Sequence, residues 1–136
     1  MAMLSLETIG YYSEAPGSQK YPPLIRLLYP ARGNFIGFVG NTRYGKLVRH
    51  AVAAFRRNEQ FPSEGGALPD SMSSISRSDH WSFWQEGYPA LMVTDTAPFR
   101  YPYYHTPEDS VDKIDFERMA RVVRGMQGVI TSLVTE

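Results

Sequence analysis

The sequence predicts an α/β fold with a largely parallel sheet. Two observations carry that prediction. Short apolar runs of strand character alternate along the chain with segments of helical periodicity, the order expected of strands joined by crossover helices. The last segment is long and amphipathic, with an apolar stripe suited to packing on a sheet. In sheets of this kind, ligand sites gather beyond the carboxyl ends of strands.

The elements follow in order. Residues 4–12 (LSLETIGYY) are apolar and aromatic with one acid among them, and read as a strand ending near Gly10. Residues 13–30 form a long loop with prolines at 16, 22, 23 and 30, a length that is often functional in a compact domain. Residues 34–39 (NFIGFV), bounded by Gly33 and Gly40, read as a buried strand. Residues 42–57 carry Leu47, Val48, Ala51, Val52, Ala54 and Phe55 at helical spacing, with Asn41 or Thr42 as the N-cap. Residues 61–76, rich in Pro, Gly and Ser, read as irregular. Residues 78–86 (SDHWSFWQE) suggest a short helix capped by Ser78 and ended by Gly87. Residues 89–94 (PALMVT) read as a third strand, and residues 97–111 as an irregular aromatic stretch. Residues 115–133 read as the long helix, its stripe formed by Met119, Val122, Val123, Met126, Val129, Ile130 and Leu133.

Composition narrows the function. At 136 residues the chain is one domain's worth. Fourteen basic residues balance fourteen acidic ones, which argues against a nucleic-acid partner, since phosphate contacts draw on a basic excess. No apolar run approaches a membrane span. There is no cysteine, so disulfides are excluded and any metal must rely on His, Asp and Glu.

Few residues are placed to carry chemistry. Glu7 is a lone carboxylate in an apolar strand, and there it must face solvent, pair with a cation or bind a metal. His105 sits in an aromatic, proline-bearing loop, as a rigid ligand or as a hydrogen-bonded loop histidine. Tyr104 beside it can donate to a developing oxyanion or simply pack. Ser78, Asp79 and His80 invite a serine-hydrolase reading. However, neighbours on one helical turn point apart, and no Gly-x-Ser-x-Gly elbow is present. His50 reads as a surface residue in an Arg-flanked helix.

Three motifs in order make the chain recognisable: Ser5-Leu6-Glu7-Thr8-Ile9-Gly10-Tyr11-Tyr12; then Ser78-Asp79-His80-Trp81-Ser82-Phe83-Trp84 with Gly87-Tyr88-Pro89-Ala90; then Tyr104-His105-Thr106-Pro107-Glu108-Asp109. Together they resemble the C-terminal half of the co-catalytic zinc aminopeptidase family, clan MH, along essentially the whole chain. The resemblance implies a partial sheet with flanking helices, a single truncated domain over residues 1–136, and peptide-bond hydrolysis with zinc. It implies Glu7 and His105 as metal ligands and Tyr104 as the group steadying the tetrahedral intermediate. Ser78, Asp79 and His80 would shape the pocket. Thr8 stands where a Met is frequent. The family's remaining ligands and its general base precede the segment that begins at Leu4, so zinc should bind weakly to these residues alone.

Three readings of function follow. The chain is a peptidase portion acting on peptides, with a bared sheet edge that favours a homo-oligomer. Otherwise it is a reduced hydrolase, cleaving esters at a rebuilt site of Ser78, Asp79, His80 and His105. Or it is a binding module presenting Phe99, Tyr101, Tyr103 and Tyr104.

Overall fold

The computed structural model describes residues 1–23 and 25–135. Four strands, β1 (Met3–Glu7), β2 (Ile36–Asn41), β3 (Ser63–Leu68) and β4 (Ala90–Thr94), form one sheet in the order β1-β4-β2-β3. β1 and β4 run parallel, as do β2 and β3, while β2 meets β4 antiparallel. The expected α/β architecture and its largely parallel sheet are therefore present, with the antiparallel joint at the centre.

Strand alternation gives the sheet two different faces. Ile36, Phe38, Leu91 and Val93 point to one side and join Val48, Ala51, Val52 and Phe55 of α1 (Gly45–Asn58) and Val122, Met126 and Val129 of α3 (Phe116–Thr135) in the main core. Each large apolar side chain buried there contributes about 1.5–3 kcal/mol. The two helices approach closely because Gly125 lies against the Phe55 ring. A Cβ at Gly125 would stand 2.2 Å from the nearest ring carbon. Glu59, just past α1, receives Arg121 at 2.8 Å and Arg124 at 3.3 Å, and these bonds hold its carboxyl below the ordinary value.

The opposite face carries Met3, Ser5 and Glu7 of β1, Met92 and Thr94 of β4, Gly37 and Val39 of β2, and Glu64 and Gly66 of β3. Only one end of it is covered. Ile75 and Trp84, the latter on α2 (His80–Gln85), pack there with Met3, Val39 and Leu68.

Several boundaries differ from the sequence expectations. β1 stops at Glu7 because Thr8 turns to φ +48°. β3 occupies residues expected to be irregular. Its glycines and lone acid carry no strand signal, and pairing with β2 imposes the conformation. Asn41 caps a short turn of 3-10 helix that leads into α1, accepting from Tyr44 N at 3.1 Å. Ser78 does not cap α2, since its hydroxyl is engaged elsewhere. Gly87 does end α2. At φ +77° it donates to Trp84 O while Tyr88 donates to Phe83 O, the paired bonds of a Schellman cap. The α3 stripe is narrower than expected, with Val123 and Ile130 left 53% and 52% exposed. His50 is half-buried against Ser132 Oγ at 3.0 Å.

Candidate functional site

The uncovered end of the sheet face is a cleft with a cavity volume of about 160 Å³. β1 and β4 both end there, since Glu7 pairs with Thr94. The long loop supplies one wall through Gln19, Tyr21 and Tyr29, and the stretch after β4 supplies another through Thr96, Phe99 and Tyr104.

Asp95 builds the turns that shape this end. It is 1% exposed and its carboxylate accepts from Thr8 Oγ1 at 2.7 Å, Tyr11 N at 2.8 Å, and Gly10 N and Ala97 N at 3.0 Å. Its own N–H donates to Thr8 O at 2.8 Å. Both strand exits are thus tied to one buried acid. Among the described residues, the non-glycine positions at positive φ are Thr8, Thr96, Ala97 and His105. The first three lie in these turns and the fourth follows Tyr104. Such backbone conformations persist where surrounding bonds over-determine them, and they concentrate at functional sites.

Arg100 pins the long loop to the same turns. Its Nε donates to Gln19 Oε1 at 2.8 Å and its Nη1 to Phe35 O at 2.8 Å, with the guanidinium 4.6 Å from the Phe35 ring centre. Burial pulls its pKa down to about 10. Gln19 in turn bonds Thr96 Oγ1 at 2.9 Å.

Glu7 lies at the mouth of this structure, half-buried and lining the cleft. Ser78 Oγ donates to Glu7 Oε2 at 2.8 Å. That uses the only hydroxyl proton of Ser78, so Ser5 Oγ, 3.0 Å away, donates to Ser78 in turn. Among the described residues, no donor meets Glu7 Oε1 and no Arg or Lys pairs with the carboxylate. Tyr104 lines the same cleft, its phenol unbonded to any described residue. His105 does not line the cleft. It is exposed and its ring stacks on Tyr104, with centroids 3.9 Å apart and planes inclined by 17°. Glu7 and Tyr104 therefore share one cavity, and His105 adjoins it through Tyr104.

Ser78, Asp79 and His80 stand behind the cleft wall rather than on it, whereas their neighbours Ile75 and Arg77 line it. His80 is fully buried, its Nε2 meeting Ile75 O at 2.6 Å and its ring edge-on to Trp84 at 4.6 Å. Burial lowers its pKa below the ordinary 6.5. Ser78 turns to Glu7 and His80 to Ile75, so the two form no nucleophile–base pair. In the aromatic loop, Tyr101 is buried with its hydroxyl on Asp109 Oδ1 at 2.8 Å, a packing role, while Phe99 and Tyr104 face the cleft. Glu64 and Gly37 line the cleft as well. Sequence reasoning passed over Glu64 because β3 does not look like a strand.

The family model described as "Peptidase family M28" matches residues 32–130. The uncharacterized protein YfbL of Escherichia coli K12 is 43% identical over 132 residues, 96% of this chain and 40% of that protein. A probable leucine aminopeptidase 1 of Trichophyton verrucosum is 32% identical over 65 residues, 47% of this chain and 17% of its own length. The crystal structure of the Legionella pneumophila LapA aminopeptidase superposes with a TM-score of 0.59 at 17% identity, covering 99% of this chain and 31% of that one. That likeness shows a shared fold. The chain spans well under half the length of each of these relatives. With the family model matched over most of its residues and the aminopeptidase fold recovered along its length, this chain belongs to peptidase family M28.

Proposed function

We propose that the chain is the C-terminal portion of a zinc-dependent, aminopeptidase-type hydrolase of peptide bonds, forming a single truncated domain over residues 1–136. The observation that carries this reading is the setting of Glu7. A carboxylate at the end of a strand, fixed through one oxygen by Ser78 and free at the other, faces a cleft shared with Tyr104. Membership of family M28 and the aminopeptidase names of relatives support it.

The donor chemistry fits zinc in kind and falls short in number. Glu7 offers an oxygen and His105 an imidazole whose nitrogens meet no described residue. Among the described residues, no three His, Cys, Asp or Glu side chains are grouped for a metal ion, and zinc takes three or four protein donors. The remaining ligands and the general base would come from the part of the relatives' length that this chain does not span. Zinc, when bound, supplies the positive charge that acidifies water and polarises the scissile carbonyl. The chain's own part is positional. Ser78 holds Glu7 in one orientation, the Asp95 turns hold the strand ends, and the Tyr104 phenol donates to the oxyanion as charge develops.

Joining this chain to the preceding region of the Escherichia coli relative tests the reading. Hydrolysis of leucine p-nitroanilide that disappears with chelator and returns with zinc is expected. A folded, zinc-loaded fusion whose hydrolysis ignores chelator, or that shows none, would falsify it. The free edges of β1 and β3 also favour a homo-oligomer, and a sedimentation mass that stays monomeric at every concentration counts against that.

A further inference from the structure

The strand register places a second carboxylate in line with Glu7. Glu7 pairs with Thr94, Thr94 with Gly37, and Gly37 with Glu64, so the four form one row across the sheet on the cleft face. At roughly 4.8 Å per strand, the Cα atoms of the two acids lie about 14 Å apart. Gly37 leaves the row without a side chain midway, and Gly66 beyond it lets the Tyr29 hydroxyl come down onto the sheet, where a Cβ would stand 3.1 Å from it. The result is a slot running from Glu7 to Glu64, floored by Thr94 and Gly37 and bounded by Tyr29.

The far end of the slot suits a cation. Glu64 is half-buried, and no described residue donates to it or pairs with it. Tyr21 and Tyr29 stand beside it with ring centres 5.9 Å apart, and Tyr29 is tied down by its hydroxyl to Gly65 O at 3.1 Å. All three residues line the cleft. A carboxylate in a cleft that also presents aromatic rings is a setting that attracts ammonium and guanidinium groups.

We propose that Glu64 is a specificity-determining residue that selects substrates whose side chain ends in a cation, lysine or arginine. The proposal rests on the reading of the Glu7 end as the hydrolytic centre. With the reacting carbonyl there, an unbranched side chain crosses Thr94 and Gly37 and brings its charge to Glu64. Lys20 and Arg77 also line the cleft, but both are exposed residues, whereas Glu64 belongs to the floor.

Binding to the chain itself tests this without hydrolysis. L-argininamide, L-norleucinamide and the α-amide of L-glutamic acid are titrated into the protein and followed by amide NMR. Argininamide is expected to bind about tenfold more tightly than norleucinamide, with an advantage that shrinks as salt is added. Glu64→Gln is expected to erase the difference and leave norleucinamide unchanged. Equal affinity of the two, no binding of argininamide, or a preference that survives Glu64→Gln overturns the proposal. So does tightest binding of the glutamic acid amide, which would assign the selection to Lys20 and Arg77. Loss of chelator-sensitive hydrolysis in the fusion, with the argininamide preference intact, counts against the peptidase reading alone.

Discussion

The two faces of the sheet solve different problems. On one, Phe38 and Val93 meet Phe55 and Val122 in a dry, closely packed layer, and Gly125 is small because Phe55 leaves no room for more. On the other, Gly37 bares the floor of a cleft, Gly66 lets the Tyr29 hydroxyl approach the sheet, and the polar groups are Ser5, Glu7, Thr94 and Glu64. Stability resides in the closed face, whereas chemistry requires the open one. Asp95 joins them, since its buried carboxylate fixes the turns from which Glu7 and Thr96 reach the cleft.

Substitutions should separate the faces by size of effect. Phe55→Ala, on the closed face, is expected to cost about 3–5 kcal/mol of stability in urea unfolding. A value under 1 kcal/mol would mean that the helices do not pack as described. Asp95→Ala comes next, at about 2–4 kcal/mol, because it strands the backbone donors of Gly10, Tyr11 and Ala97. It should also broaden the amide signals of residues 8–11 and 96–97, whereas Phe55→Ala should not.

His80 gives a pH-dependent intermediate case. Its folded pKa lies below the ordinary 6.5 because burial disfavours the charged ring. The unfolded chain therefore takes up the proton first. The stability from this residue is complete above about pH 6.5 and declines as the pH falls toward the folded value. His80→Gln should flatten the fall in unfolding midpoint between pH ~7.5 and ~5.5, and an unchanged slope contradicts the assignment. On the open face, Ser78→Ala should alter stability by less than about 1 kcal/mol, yet weaken zinc binding by roughly tenfold or more through loss of the Glu7 orientation. Equal zinc affinity would reduce Ser78 to a packing residue. Glu64→Gln should be the mildest, within about 0.5 kcal/mol.

What the sequence made legible follows the same division. The closed face is written in apolar periodicity, so α1, α3, β2 and β4 were readable from Val48, Phe55, Val122 and Leu91. The Schellman cap was readable from Gly87. The open face is written in register, which no local pattern reveals. β3 escaped notice because Gly65 and Gly66 follow Glu64 with no β-branched residue, and Glu64 was lost with it. Glu7 and Tyr104 were legible through their motifs, and the structure places both on one cleft. The local pattern suggests Ser78 as a helix cap, yet its hydroxyl crosses 73 positions of sequence to Ser5 and 71 to Glu7. Pairings that distant become visible only once β1 and α2 are folded together.

The proposed zinc site requires Glu7 and His105 to reach one cation beside Tyr104. Zinc titrated into the chain and followed through the histidine ring resonances tests it most directly. His105 is expected to move along a single weak binding curve that Glu7→Gln abolishes, while His50 and His80 stay in place. A His105 response untouched by Glu7→Gln, or zinc captured at His50 or His80, would contradict it.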